Sequence, residues 1–120
     1  MKVRPTDSVT FGHHHKLKTL WLRGKFPSVK FGVYGDLLTK DTVSLEHFQP
    51  ISKGGKTTLG NLGLASKNKN NLRGNQPLKN FLTLDMLQKY LKQFRGIKVK
   101  DFNGDTYEKL ITENVGKILE

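Results

Sequence analysis

The alternation of apolar and polar positions divides the chain into short elements. Leu17, Leu20 and Trp21 recur at helical spacing within Lys16 to Arg23, which predicts one or two helical turns stopped at Gly24. Phe31-Gly32-Val33-Tyr34-Gly35 alternates aromatic or aliphatic residues with glycine and reads as a tight hairpin or knuckle. Val43 to Phe48 sets Val43, Leu45 and His47 against Ser44, Glu46 and Phe48, the period of a strand. Pro50 to Gly60 holds Ser52-Lys53-Gly54-Gly55-Lys56 and predicts a loop. Asn61 to Ala65 returns to alternation, with Leu62 and Leu64 on one face, as a second strand. Ser66 opens the polar segment Lys67 to Asn75, a helix only if packing offsets its weak propensities.

Beyond Pro77 the period lengthens. Leu78, Phe81, Leu82, Leu87, Tyr90, Leu91 and Phe94 share a helical face, with Thr83 as N-cap and Gly96 as stop. Ile97 and Val99 suggest an extended piece, and Asn103-Gly104 a turn. Asp105 and Glu108 have capping-box spacing ahead of Tyr107, Leu110, Ile111, Asn114 and Ile118, the face of a last helix. No internal repeat and no low-complexity linker interrupts the chain. The pattern predicts a β-rich front half braced by two helices, an α+β fold in one domain spanning residues 1–120.

Charge changes the picture more than composition does. Hydrophobic and charged residues are at ordinary levels, 35% and 26%, but 21 Lys+Arg against 10 Asp+Glu leave a net charge of +11. Residues 1–40 carry +6 (8 basic, 2 acidic), residues 41–80 carry +4 (6 and 2), and residues 81–120 only +1 (7 and 6). A uniformly lysine-rich solvated surface predicts no such asymmetry, so a polyanionic partner is expected, nucleic acid before membrane. A membrane surface calls for a basic amphipathic helix, and the basic two-thirds shows little helical period. The chain has no cysteine, which excludes a disulfide scaffold, a thiol nucleophile and any Cys-based zinc site. With no apolar run long enough to span a bilayer and no signal-peptide core, a soluble protein of a reducing cytoplasm is expected.

One stretch concentrates the chemistry. Glu46-His47 closes the first strand, Pro50 through Gly55 form a glycine-rich loop, Asn61-Leu62 open the second strand, and Asn70 lies nine residues further on, in the polar helix. These elements in this order resemble the HNH family of nucleases, over residues 43–75. The resemblance implies a ββα-metal core of two short antiparallel strands and a helix, supported by a helical part over residues 78–120. It implies a metal-dependent endonuclease, a hydrolase that cleaves or nicks DNA phosphodiester bonds to leave 5′-phosphate and 3′-hydroxyl ends. His47 is then the general base, Glu46 and Asn70 hold the cation, with Asn71 the next candidate, and Asn61 spans the glycine loop to hold the histidine in place. Compact free-standing nucleases of this kind occur in phages and mobile elements, which points to a bacterial or phage-infected host cell.

The residue chemistry agrees with that assignment. A neutral imidazole is the side chain best suited to take a proton from water near pH 7. A carboxylate and an amide oxygen are hard ligands, which favour Mg²⁺ or Mn²⁺ over Zn²⁺, and no structural zinc is expected. Adjacent strand residues face opposite ways, so Glu46 and His47 can share a site only if the strand ends or bulges there, as the nearby Pro50 suggests. Lys53, Lys56, Lys67, Lys69 and Arg73 flank the site as candidates for the DNA backbone, Arg73 also for the scissile or an adjacent phosphate. RNA is not excluded as the substrate. His13-His14-His15 cannot all face one ion in regular structure and are read as a DNA-facing or loop segment. Trp21, Phe31 and Tyr34 are candidates for base stacking, with core packing the expected fate of each. The rival reading is a catalytically inactive DNA-binding protein of the same fold.

Overall fold

A computed structural model describes residues 16–100 and 102–119; the histidine triplet and the N-terminal arm lie outside them. Helix α1, Lys16–Leu22, forms where Leu17 and Leu20 are buried one turn apart. It ends as expected at Gly24, whose φ of +74° is the left-handed conformation glycine adopts without strain. The half-buried Trp21 then donates its indole N–H to Val29 O at 2.7 Å, tying the helix to the segment that follows.

That segment leads into the knuckle, where Phe31 bridges Leu37 and Gly35 turns the chain at φ +77°. Gly32 lies so close to the sheet that a Cβ there would stand 2.8 Å from Leu64 O. Val33 N–H donates to the same Leu64 O at 2.9 Å. Apolar packing and backbone bonds hold the knuckle on the sheet, without any cysteine.

The sheet is an antiparallel pair, β1 (Val43–His47) and β2 (Leu62–Ser66), in the register Val43↔Ser66 through His47↔Leu62. Every residue of β2 is buried. Its outer edge is covered by side chains in place of a third strand: Leu64 N–H donates to Tyr90 Oη, and Tyr107 Oη–H donates to Leu62 O at 2.7 Å. Such partners satisfy the edge groups that would otherwise invite another chain.

Helix α2, Lys67–Arg73, follows β2 directly, with the Ser66 hydroxyl accepting from Lys69 N–H as its cap. The long apolar run after Pro77 divides in two. Leu78–Asn80 makes a single 3₁₀ turn, and α3 covers only Leu84–Lys92, capped by Thr83 as the sequence predicts. A short pair, β3 (Lys98–Val99) and β4 (Phe102–Asn103), then leads into α4, Gly104–Leu119.

Here the structure corrects the turn and capping-box readings. Asn103 is the last residue of β4, and its Oδ1 accepts from Thr106 N–H at 3.0 Å, so the helix starts at Gly104. Asp105 is turned back to Gly96 N–H and Glu108 to Arg95, so neither caps the helix. The front half is also less β-rich than expected: among its described residues the β1–β2 pair is the one sheet.

The core joins both halves. Leu78, Leu87, Tyr90, Leu91 and Phe94 are buried with Tyr107, Ile111 and Val115 of α4 and with the two strands, while Phe81 is half-buried against them. Phe26, Phe94, Phe102, Tyr90 and Tyr107 meet at tilted or edge-on angles, the geometry aromatic quadrupoles favour. No helix among the described residues is long and apolar enough to cross a membrane.

Candidate active site

β1, the glycine loop, β2 and α2 bring four of the sequence-selected residues into one neighbourhood. The loop is closed by Asn61. Its Oδ1 accepts from Gln49 N–H at 2.8 Å, and its Nδ2 donates to Gln49 O at 3.0 Å and to Lys56 O at 2.8 Å. Its backbone carbonyl accepts from Phe48 N–H at 3.0 Å, so one residue fixes both ends of the loop. The loop is tight enough to require glycine at Gly55, where a Cβ would stand 1.8 Å from Gln49 O. Gly54 turns at φ +87°.

The half-buried imidazole of His47 sits at the end of β1, with Nε2 hydrogen-bonded to Thr57 Oγ1 of the loop at 3.0 Å. Strand alternation persists through this point and sends Glu46 the other way. The residue is 4% exposed, and its carboxylate receives two donors on one oxygen, Oε2: the Tyr34 hydroxyl and, at 3.3 Å, Arg73 Nη1. The strand ends at His47, as the nearby Pro50 suggests; the Glu46 carboxylate meets Tyr34 and Arg73 there, and the His47 imidazole meets Thr57. Burial pushes the Glu46 carboxyl above its ordinary value, and Tyr34 and Arg73 draw it back only in part. Burial, with the Glu46 charge beside it, also pushes the Tyr34 phenol far above its ordinary value.

Arg73 has a different place from the one read in the sequence. It is 2% exposed, and its donors are taken internally: Nε by Gln76 O, Nη1 by His47 O at 3.0 Å, and Nη2 by Phe48 O at 2.7 Å. A phosphate has no access to a guanidinium so enclosed, and the assignment of Arg73 to DNA is corrected on that ground. Arg73 instead clamps the end of β1 to the end of α2, touching both Glu46 and His47.

Asn70, one turn earlier on α2, donates from Nδ2 to Leu45 O at 2.8 Å and to Ser44 Oγ at 3.2 Å. Two acceptors on the nitrogen fix the amide orientation and leave Oδ1 as its ligating end. Asn71 is exposed on the same helix, which favours Asn70 of the two.

The donor set fits a hard divalent cation held loosely. Glu46 offers Oε1, which makes no hydrogen bond or ion pair among the described residues, and Asn70 offers Oδ1. Among the described residues no three His, Cys, Asp or Glu side chains cluster, so a closed protein cage of such ligands is absent there. Water or a phosphate oxygen has to complete the shell.

Lys53, Lys56 and Lys67 are exposed on the loop and α2, with Lys69 half-buried among them. Lys53 Nζ donates to Asn75 O at 2.7 Å. Tyr34 is buried and Trp21 half-buried with its N–H engaged, so neither offers a face to a base; Phe31 is 47% exposed.

Sequence reasoning missed three contributors. Tyr34 and Arg73 around Glu46, and Thr57 on His47, act over 12, 27 and 10 positions of chain and leave no periodic signal. The chain matches no protein-family model, no curated protein and no solved structure.

Proposed function

We propose that the chain is a metal-dependent endonuclease of the HNH type acting on DNA, with residues 43–75 as its ββα-metal core. The observation that carries the reading is that Glu46, His47, Asn61 and Asn70 lie on one hairpin, loop and helix, in the order that the resemblance implies. His47 takes a proton from water, and the loop that holds it is closed by Asn61 and touches it through Thr57. Glu46 Oε1 and Asn70 Oδ1 hold Mg²⁺ or Mn²⁺. When bound, such an ion neutralises charge on the phosphate and on the leaving 3′ oxygen. Exposed Lys53, Lys56 and Lys67, with Lys69, attract the DNA backbone, in keeping with the +10 carried by residues 1–80 (14 basic, 4 acidic).

A second reading has one observation in its favour. Arg73 already gives Glu46 a positive partner inside the fold, an arrangement that suits an inactive DNA-binding relative. Supercoiled plasmid incubated with the protein and Mg²⁺ or Mn²⁺ separates the two. Nicked or linear product that disappears with EDTA supports the nuclease. Plasmid that is retarded but intact at every metal concentration supports the binding protein.

A further inference from the structure

We propose that Tyr34 is a positioning residue for the cation ligand: it holds Glu46 by Oε2 so that Oε1 is the oxygen offered to a divalent ion. The inference rests on the nuclease reading above and adds a residue from outside the ββα unit.

The knuckle is built to deliver that hydroxyl. Val33 N–H fixes its backbone to Leu64 O on β2, and the turn at Gly35 follows directly. Tyr34 N–H donates to Asp36 Oδ1 at 3.2 Å, and the other oxygen of the same carboxylate accepts from Ser66 N–H at the end of β2. The ring packs edge-on against Phe81, with centroids 6.4 Å apart. A phenol anchored by its own backbone, by β2 and by a neighbouring ring has little freedom left, so its hydroxyl marks a fixed point for the carboxylate.

Both described contacts of Glu46 fall on Oε2, and an ionised carboxylate has acceptor capacity on each oxygen. With Oε2 saturated, Oε1 ligates alone. Without the Tyr34 hydroxyl, the carboxylate is free to swing both oxygens toward the Arg73 guanidinium, which competes with a cation for the same charge. Partners of this kind behind a metal ligand set its orientation and its affinity.

The test is Tyr34→Phe, which keeps the ring and removes only the hydroxyl. Mn²⁺ binding is read from the loss of the free-ion electron paramagnetic resonance signal, alongside the metal dependence of plasmid cleavage and the melting temperature. The expected result is Mn²⁺ affinity weaker by about 10–100-fold, the usual effect of losing such a partner. At saturating Mn²⁺ the cleavage rate should come within a few-fold of wild type. Leu91→Ala, which opens the core away from Tyr34 and Glu46, should bind Mn²⁺ like wild type at temperatures where it is folded. Unchanged or tighter Mn²⁺ binding by Tyr34→Phe overturns the role given to Tyr34, as does equal weakening in folded Leu91→Ala. A wild-type protein that binds no Mn²⁺ and leaves plasmid intact overturns the nuclease reading itself, a different result from either.

Discussion

Replacing Arg73 with methionine is the sharpest test of the interior described above. The change keeps an unbranched side chain in the helix but removes every donor. Four acceptors lose a donor: His47 O, Phe48 O, Gln76 O and Glu46 Oε2, the last of which keeps only the Tyr34 hydroxyl. Gln76 is exposed and can turn to water, whereas Glu46 and the end of β1 are enclosed. Breaking a buried pair by removing one member costs about 3–5 kcal/mol, because the other charge is left uncompensated. Against the roughly 5–15 kcal/mol that holds a domain together, that is about a fifth or more of the total. For a chain of this length the melting temperature should fall by roughly 10–20 °C.

The pH dependence identifies the cause. Glu46 already sits above its ordinary value because it is buried, and losing Arg73 removes one of the groups that draw it back. A carboxyl raised in the folded state stabilises the fold fully below its unfolded value of about 4.3 and loses that contribution as pH rises through the folded value. The deficit of Arg73→Met should therefore be largest at pH 7 and shrink as the pH is lowered toward the ordinary carboxylate value of about 4.3, as Glu46 takes up a proton. Urea denaturation of both proteins across that range measures it. A deficit under about 1 kcal/mol at pH 7, or one that grows on acidification, would refute the assignment of Arg73 as the internal partner of Glu46.

Tyr34, Tyr90 and Tyr107 are the chain's three tyrosines; all are buried and held above their ordinary values, so their stabilisation is complete below about pH 10 and lost above it. Phenolate absorbance near 295 nm should rise only as the far-ultraviolet dichroism collapses, and a phenolate signal in the native state would contradict their burial. Leu91→Ala should cost about 2–5 kcal/mol in urea denaturation while cleavage per folded molecule stays near wild type, and a loss under about 1 kcal/mol would remove Leu91 from the core. DNA affinity should fall steeply with salt, with a slope near −0.9 per phosphate contacted, and Lys53→Ala or Lys56→Ala should flatten it. An affinity independent of salt would remove the backbone contact.

The elements were legible wherever period and punctuation agreed. Thr83 capping α3, Gly24 stopping α1 and the alternation of β1 and β2 are local signals, read within a few residues. Asn103-Gly104 misled because Asn is at home both in a turn and at a helix N-terminus, and only the bond to Thr106 N–H separates the two. The apolar run from Leu78 split because the 3₁₀ turn at Leu78–Asn80 ends before Thr83, and Thr83 can cap only a new helix.

At the site, the spacing of Glu46-His47, Asn61 and Asn70 was visible in the chain, and so was the loop that Asn61 closes. What surrounds Glu46 was not. Arg73 reads as one more basic residue on a polar helix until the carbonyls of His47 and Phe48 are seen converging on it. Tyr34 reads as a core aromatic, and its ring is in the core; the direction of its hydroxyl depends on how the knuckle docks, which no local pattern encodes.

The most direct test of the central claim is single-turnover cleavage of supercoiled plasmid by wild type and His47→Ala in Mg²⁺, with folding and DNA affinity checked on the same samples. A general base contributes about 10²–10⁴ in rate. The account predicts a loss in that range for His47→Ala, with melting temperature and DNA affinity close to wild type. Cleavage by His47→Ala within a few-fold of wild type would contradict it.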